Sequence, residues 1–157
     1  MNNELFNTAR GHYQSKDYQA ALAEFTQCLQ DADNPPAAGE SGLLYHQIGN
    51  CLVKLKDPNE AIQAYTQALA DADYQMNGAV NYNLGMAYAS LHDYENAAHN
   101  FEAAVADESY ETPYKAYTGM GNALMKMGKT AEAGVAFREA ALDEANPDPT
   151  RALLNLG

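Results

Sequence analysis

The sequence has little of what reactive sites are made from. In 157 residues it holds two cysteines, no tryptophan and four histidines, and only nine lysines and arginines against 21 aspartates and glutamates. Cys28 and Cys51 fall at helical positions that ask for small apolar side chains, so they read as core thiols of a reducing compartment. A disulfide would require neighbouring elements to bring the two together. His12, His46, His92 and His99 lie on separate elements without ligand-like spacing, which argues against a metal site. No Gly-rich phosphate loop and no nucleophile beside a base is present, and the run Asp71-Ala72-Asp73 lacks the residues that a calcium loop places after it. Catalysis, metals and cofactors are therefore not expected. Paired carboxylates such as Asp143-Glu144 read as a solvated surface.

Long hydrophobic runs are missing too. No segment approaches bilayer length, and the N-terminus has neither the basic start nor the apolar stretch of a secretory signal, so the expected location is the cytosol. A net charge of −12 disfavours bulk nucleic acid and anionic membrane surfaces as partners.

What is present is helical. Hydrophobic residues make up 46%, alanine is abundant, and the six prolines fall in turns or at first turns of helices. Residues 42–73 form the clearest unit: at a period of 3.6 they read as two amphipathic helices broken at Lys56-Asp57-Pro58. Asp57 caps the second helix, Pro58 suits its first turn, and Glu60 stands where a capping box would use it.

A tetrad of small, small, aromatic and small residues then recurs. It reads Ala9/Ala21/Phe25/Cys28, Gly49/Ala61/Tyr65/Ala68, Gly85/Ala97/Phe101/Ala104 and Gly121/Ala133/Phe137/Ala140. Spacing inside each unit is constant, whereas the step between units is 40 residues from Ala21 to Ala61 and 36 thereafter, so the variation sits in the turns. Hairpins are expected at about 3–31, 42–73, 76–107 and 113–144, with Asp17 capping a second helix, Gly128 supplying the last inner turn and Thr112-Pro113 opening the fourth hairpin. Asp148-Pro149 starts a partial helix over 149–157, where Leu153 and Leu156 are expected to pack on the fourth hairpin. The chain reads either as a piece of a longer protein stopped inside a fifth hairpin or as an array with a short native last helix.

These residues resemble the tetratricopeptide repeat family. Asn83-Leu84-Gly85-Met86-Ala87-Tyr88 and Asp93-Tyr94-Glu95-Asn96-Ala97 fit its consensus closely, and the four hairpins fit it in register over nearly the whole chain. The departures are repeats longer than the usual ~34 residues, Asn81 at a bulky position and the missing tryptophan. The resemblance implies an all-α, right-handed superhelical array in one domain, 1–157, whose first helices line a concave groove that binds a peptide or protein segment.

Phe6, Asn7, Arg10, Tyr13, His46, Asn50 and Lys54 are the candidate groove residues of the first two hairpins. Tyr82, Asn83, Met86, Lys115, Asn122, Met125 and Lys126 are those of the next two. Within the expected hairpins only Glu4 is an acid on a first helix, while Arg10, Lys54, Lys115 and Lys126 lie there and Arg151 follows, so the groove is expected to favour an acidic or carboxylate-bearing segment. The bland alternative is an ordinary helix surface. Some members of the family grip a free C-terminal carboxylate with Lys, Asn, Asn, Lys and Arg; carried onto this chain those positions are His46, Asn50, Asn83, Lys115 and Gly119, of which Asn50, Asn83 and Lys115 match. Two functions result: a non-catalytic peptide-binding scaffold, or a structural module that self-associates through its ends, the C-terminal helix among them, and its convex surface.

Overall fold

The computed structural model describes residues 1–154. Among them stand nine α-helices and no strand: α1 (Asn3–Gln14), α2 (Tyr18–Gln30), α3 (Glu40–Lys54), α4 (Pro58–Ala70), α5 (Asn77–Ser90), α6 (Tyr94–Ala106), α7 (Pro113–Lys126), α8 (Thr130–Leu142) and α9 (Pro149–Leu154). Consecutive helices pack in pairs, α1 with α2, α3 with α4, α5 with α6 and α7 with α8, and α9 packs on α8. Two compact units result, Met1–Gln75 with α1 to α4 and a second beginning at Met76 with α5 to α9.

Each hairpin turn is built the same way. Lys16, Lys56, His92 and Gly128 take left-handed backbone angles with φ of 66°, 64°, 60° and 77°. The next residue caps the second helix: Asp17, Asp57 and Asp93 each accept a first-turn N–H at 3.2 Å. Lys129 stands at the cap of α8 without a side-chain bond, and there glycine removes the steric cost of the turn instead. Two cap expectations change. Glu60 closes no capping box, because the Asp57 N–H donates to the Leu52 carbonyl at 2.9 Å. Thr112 occupies the cap of α7 but makes no side-chain cap bond.

The first-turn amides of the first helices are answered from the far end of the hairpin. Asp71, Asp107 and Asp143 accept the N–H groups of Gly42, Gly78 and Tyr114 on Oδ2 at 2.7, 2.8 and 3.1 Å. On Oδ1 they accept the N–H two residues on, from Asp73, Ser109 and Ala145. The amides of a helix start have no intrahelical partner, so one carboxylate closes each of these hairpins. Asp143 is thus a structural tie and not merely solvated surface. The Ser109 hydroxyl bond, foremost, holds the Asp107 carboxyl below the usual range.

In the first unit Ala9, Ala21, Phe25, Cys28, Ala61, Tyr65 and Ala68 are buried, and both cysteines are free and packed in the core. α3 begins at Glu40, after Gly39 at φ 82°, and the Glu40 carboxylate accepts the Ala37 N–H at 2.8 Å and pairs with the Met1 amino group at 3.3 Å. Glu4 is therefore not the lone acid on a first helix.

In the second unit Ala97, Phe101, Ala104, Ala133, Phe137 and Ala140 are buried. An ideal Cβ on Gly85 would stand 2.5 Å from Phe101 Cε1, and one on Gly121 2.6 Å from Phe137 Cε1. On α9 the buried residue is Ala152, with Leu153 48% and Leu154 72% exposed. The expectation for Leu153 is corrected, since the side chain that α9 buries is that of Ala152; Leu156 lies outside the described residues.

Two glycine substitutions separate propensity from packing. Gly11→Ala, where nothing lies within 4 Å of the new methyl, should raise stability by about 0.5–1 kcal/mol. Gly85→Ala gains the same propensity but overpacks Phe101, so a net loss of about 1–2 kcal/mol is expected. Urea midpoints check both; Gly85→Ala at or above the parent would refute the close helix contact.

Candidate peptide-binding surface

The candidate residues of the first unit project from α1 and α3. Asn7, Arg10 and Lys54 are exposed, and Tyr13 is partly buried, with its ring edge-on to Tyr18 at 5.3 Å. Two others differ from expectation. Phe6 is buried, its ring 5.5 Å from Phe25 in an edge contact, so it belongs to the core of its hairpin and offers Arg10 a neighbour at 6.0 Å. His46 is buried as well, and its Nδ1 shares a 2.7 Å hydrogen bond with the Tyr74 hydroxyl. Burial lowers its pKa from 6.5 to about 4, so at neutral pH it is an uncharged hydrogen-bonding ring. Asn50 accepts a 2.7 Å hydrogen bond from the Tyr65 hydroxyl.

The second unit brings charges together. A cleft of about 250 Å³ lies among α5, α7 and α9, with Tyr82, Lys115, Thr118 and Arg151 on its walls and Asn146 and Asp148 at its edge. Tyr82 is set by two rings, Phe101 at 5.8 Å and Tyr110 stacked at 6.3 Å. Asp148 is occupied in part as a cap, accepting the Arg151 N–H at 3.2 Å. Ion pairs among the described residues join Met1 to Glu40 and His12 to Glu24, so neither Lys115 nor Arg151 is neutralised by one.

Not every candidate shares the cleft. Asn83 is partly buried on α5, and Met86, Asn122, Met125 and Lys126 are exposed on the first helices outside it. Lys126 is eleven residues from Lys115, roughly 16 Å along α7. Gly119 faces the Phe101 ring, with an ideal Cβ only 2.6 Å from it, so the position carried over from the carboxylate grip has no room for arginine as packed. Arg151 and Tyr114 were absent from the candidate set yet line the cleft. The available signal was the cap Asp148-Pro149, which starts α9 and carries Arg151 to α7.

Among the described residues no group of three or more His, Cys, Asp or Glu is placed to hold a metal ion. Burial pushes the Cys51 thiol up to about 11 and raises that of Cys28, which suppresses thiolate formation. No described helix is long and apolar enough to cross a membrane.

Two family models, each described as tetratricopeptide repeat, match residues 46–112 and 114–142. No curated protein matches the chain in sequence. Among solved structures it is similar to MamA, with a TM-score of 0.82 and 17% identity over 98% of this chain and 78% of that one. It is also similar to YrrB, a TPR protein with an unusual peptide-binding site, with a TM-score of 0.76 and 24% identity over 97% and 72%. The first TPR of Spaghetti (RPAP3), bound to the HSP90 peptide SRMEEVD, matches with a TM-score of 0.65 and 25% identity over 76% and 95%.

The buried His46 should leave a signature in acid. Below pH 6.5 the unfolded chain takes up a proton that the folded ring refuses until about pH 4, so its contribution to stability falls by up to about 1.4 kcal/mol per pH unit across that window. His46→Gln should remove this slope; a parent and variant with parallel stability curves from pH 7 to 4 would overturn the assignment.

Proposed function

Because the chain belongs to the tetratricopeptide repeat family, we propose that it serves as a non-catalytic interaction scaffold, capturing an acidic peptide segment on the first-helix face of its second unit. The observation that carries this reading is the convergence of Lys115 and Arg151 beside Tyr82 in one cleft, with no ion pair to either cation among the described residues. At about 250 Å³ the cleft is smaller than most small-molecule pockets. It suits one carboxylate-bearing side chain or chain end, with Tyr82 as an apolar wall for the neighbouring residue. The acidic peptide SRMEEVD on the RPAP3 repeat supports the ligand class. Lys126, exposed further along α7, adds charge of the same sign.

A second reading, self-association, is favoured by the exposed Leu142, Leu153 and Leu154 around the last helix.

The two readings respond to different substitutions. Lys115→Glu with Arg151→Glu should weaken an acidic peptide by about tenfold or more, ~1.4 kcal/mol, and abolish the salt dependence of its fluorescence anisotropy. Lys126→Glu should have a much smaller effect. Undiminished capture by the double variant would sink the cleft reading. Leu153→Asp should leave capture intact and, under the second reading, convert an oligomer to monomer in sedimentation velocity.

A further inference from the structure

The larger concavity of the second unit lies on the other side of α7. Helices α6, α7 and α8 enclose a groove of about 610 Å³, more than twice the volume of the Lys115 cleft. Its floor is Tyr117, Met120 and Leu124, spaced three and four apart as one stripe of α7, continued by Met127 at the helix's C-cap. Tyr117 follows Lys115 by two residues, which turns the stripe by roughly 200° from the cleft. Val105 and Val135 complete the apolar lining, the latter 51% exposed.

Charge is concentrated on the rims. Glu95 and Glu102 stand on α6, Glu132 and Glu139 on α8, all exposed and none in an ion pair among the described residues. Lys129 is the one basic residue of the lining, beside His99, which does not offset four carboxylates. These glutamates are not a requirement of the hairpin scaffold. In the register of the repeat, the matching positions of α2 and α4 are Gln19, Thr26, Glu60 and Gln67, a single acid among neutral residues.

We propose that this groove docks a cationic amphipathic helix of a partner protein, with its apolar stripe on the α7 floor and lysines or arginines on both flanks against the glutamates. The inference does not depend on the acidic-peptide reading, which concerns the other face. The walls α6 and α8 are 13 residues each, roughly 19 Å at 1.5 Å per residue, which matches a ligand helix of about three turns with anchors at i, i+3 or i+4, and i+7. Buried apolar anchors supply affinity in such grooves, and the one-signed rim selects the partner and speeds its encounter. A glutamate-flanked helix would meet like charge on both sides.

Three labelled synthetic peptides of about 14 residues test this: one with a leucine stripe flanked by lysines, one with glutamates for the lysines, and one with the first peptide's composition scrambled to destroy the stripe. Anisotropy titrations of the full chain should show that the lysine-flanked helix binds, more weakly as salt rises, and that the other two do not. Glu102→Lys with Glu139→Lys should cost about tenfold or more in affinity, and Val135→Asp should also weaken binding. Glu60→Lys with Glu108→Lys, the same charge change off the groove, should leave affinity within about twofold of the parent, and Lys115→Glu should do the same. Equal binding of the scrambled peptide, equal loss from the off-groove reversal, or an unchanged affinity in the Glu102/Glu139 variant would each overturn the proposal. Val135 is half exposed and the glutamates lie at the surface, so thermal midpoints near the parent's are expected; if Val135→Asp unfolds, the glutamate pair decides.

Discussion

The contact on which each later hairpin depends is a ring laid where a glycine leaves no side chain. Tyr65 lies against Gly49, Phe101 against Gly85 and Phe137 against Gly121, each so close that an added Cβ would fall 2.5–2.6 Å from a ring carbon. Full burial of such a ring is worth ~1.5–3 kcal/mol, and the missing methyl lets the two helices approach closely enough to exclude water from both faces. Phe101 does this twice, since Gly119 of the next hairpin meets the same ring. One side chain therefore closes its own hairpin and joins it to its neighbour. The first hairpin has alanine at this place, Ala9, and fills the space with a second ring, Phe6, edge-on to Phe25.

The second constraint is electrostatic and local. Asp17, Asp57 and Asp93 cap second helices, and Asp71, Asp107 and Asp143 tie first helices to the ends of their hairpins. Much of the acidic excess is thus engaged with backbone N–H groups, where a carboxylate is stabilised by charge-assisted bonds and the helix dipole. Such acids are poor ligands for anything else. Among the glutamates left free of such bonds, four stand on α6 and α8 of the second unit, where they line one groove.

The hairpins were legible because their signals are local: a 3.6-residue period, Asp caps beside the turns, and a small-aromatic tetrad repeated at constant internal spacing. Misreadings arose where a distant residue decides the outcome. His46 lies on a helix whose apolar stripe is wide enough to place it on either side, and it is Tyr74, 28 residues later, that draws it inward through a hydrogen bond. The same kind of distance hid the roles of Asp71, Asp107 and Asp143, since each reaches an amide 29 residues earlier. Gly119 looked like a lost arginine, yet the ring of Phe101 occupies the space a side chain would need. The Lys115–Arg151 cleft required knowing that α9 returns to α7, which follows from packing and not from periodicity.

Helix α7 makes the two faces of the second unit one electrostatic system. Lys115 and Thr118 look into the basic cleft, and Tyr117, Met120 and Leu124 floor the acid-rimmed groove. A helix with its side chains is about 10–12 Å across, so charges held on its two sides are separated by a little more than the ~8 Å Debye length of physiological salt. Before screening, one unit charge on each side interacts by only about 0.4 kcal/mol at the dielectric of water. An anionic ligand in the cleft and a cationic one in the groove would attract across α7, so the coupling is favourable in sign and small in size. It grows as salt falls, because screening is then relaxed. On the two proposals together, ligands of opposite charge would occupy this unit without competing, which is the property that a scaffold requires and that a single groove of one sign does not provide.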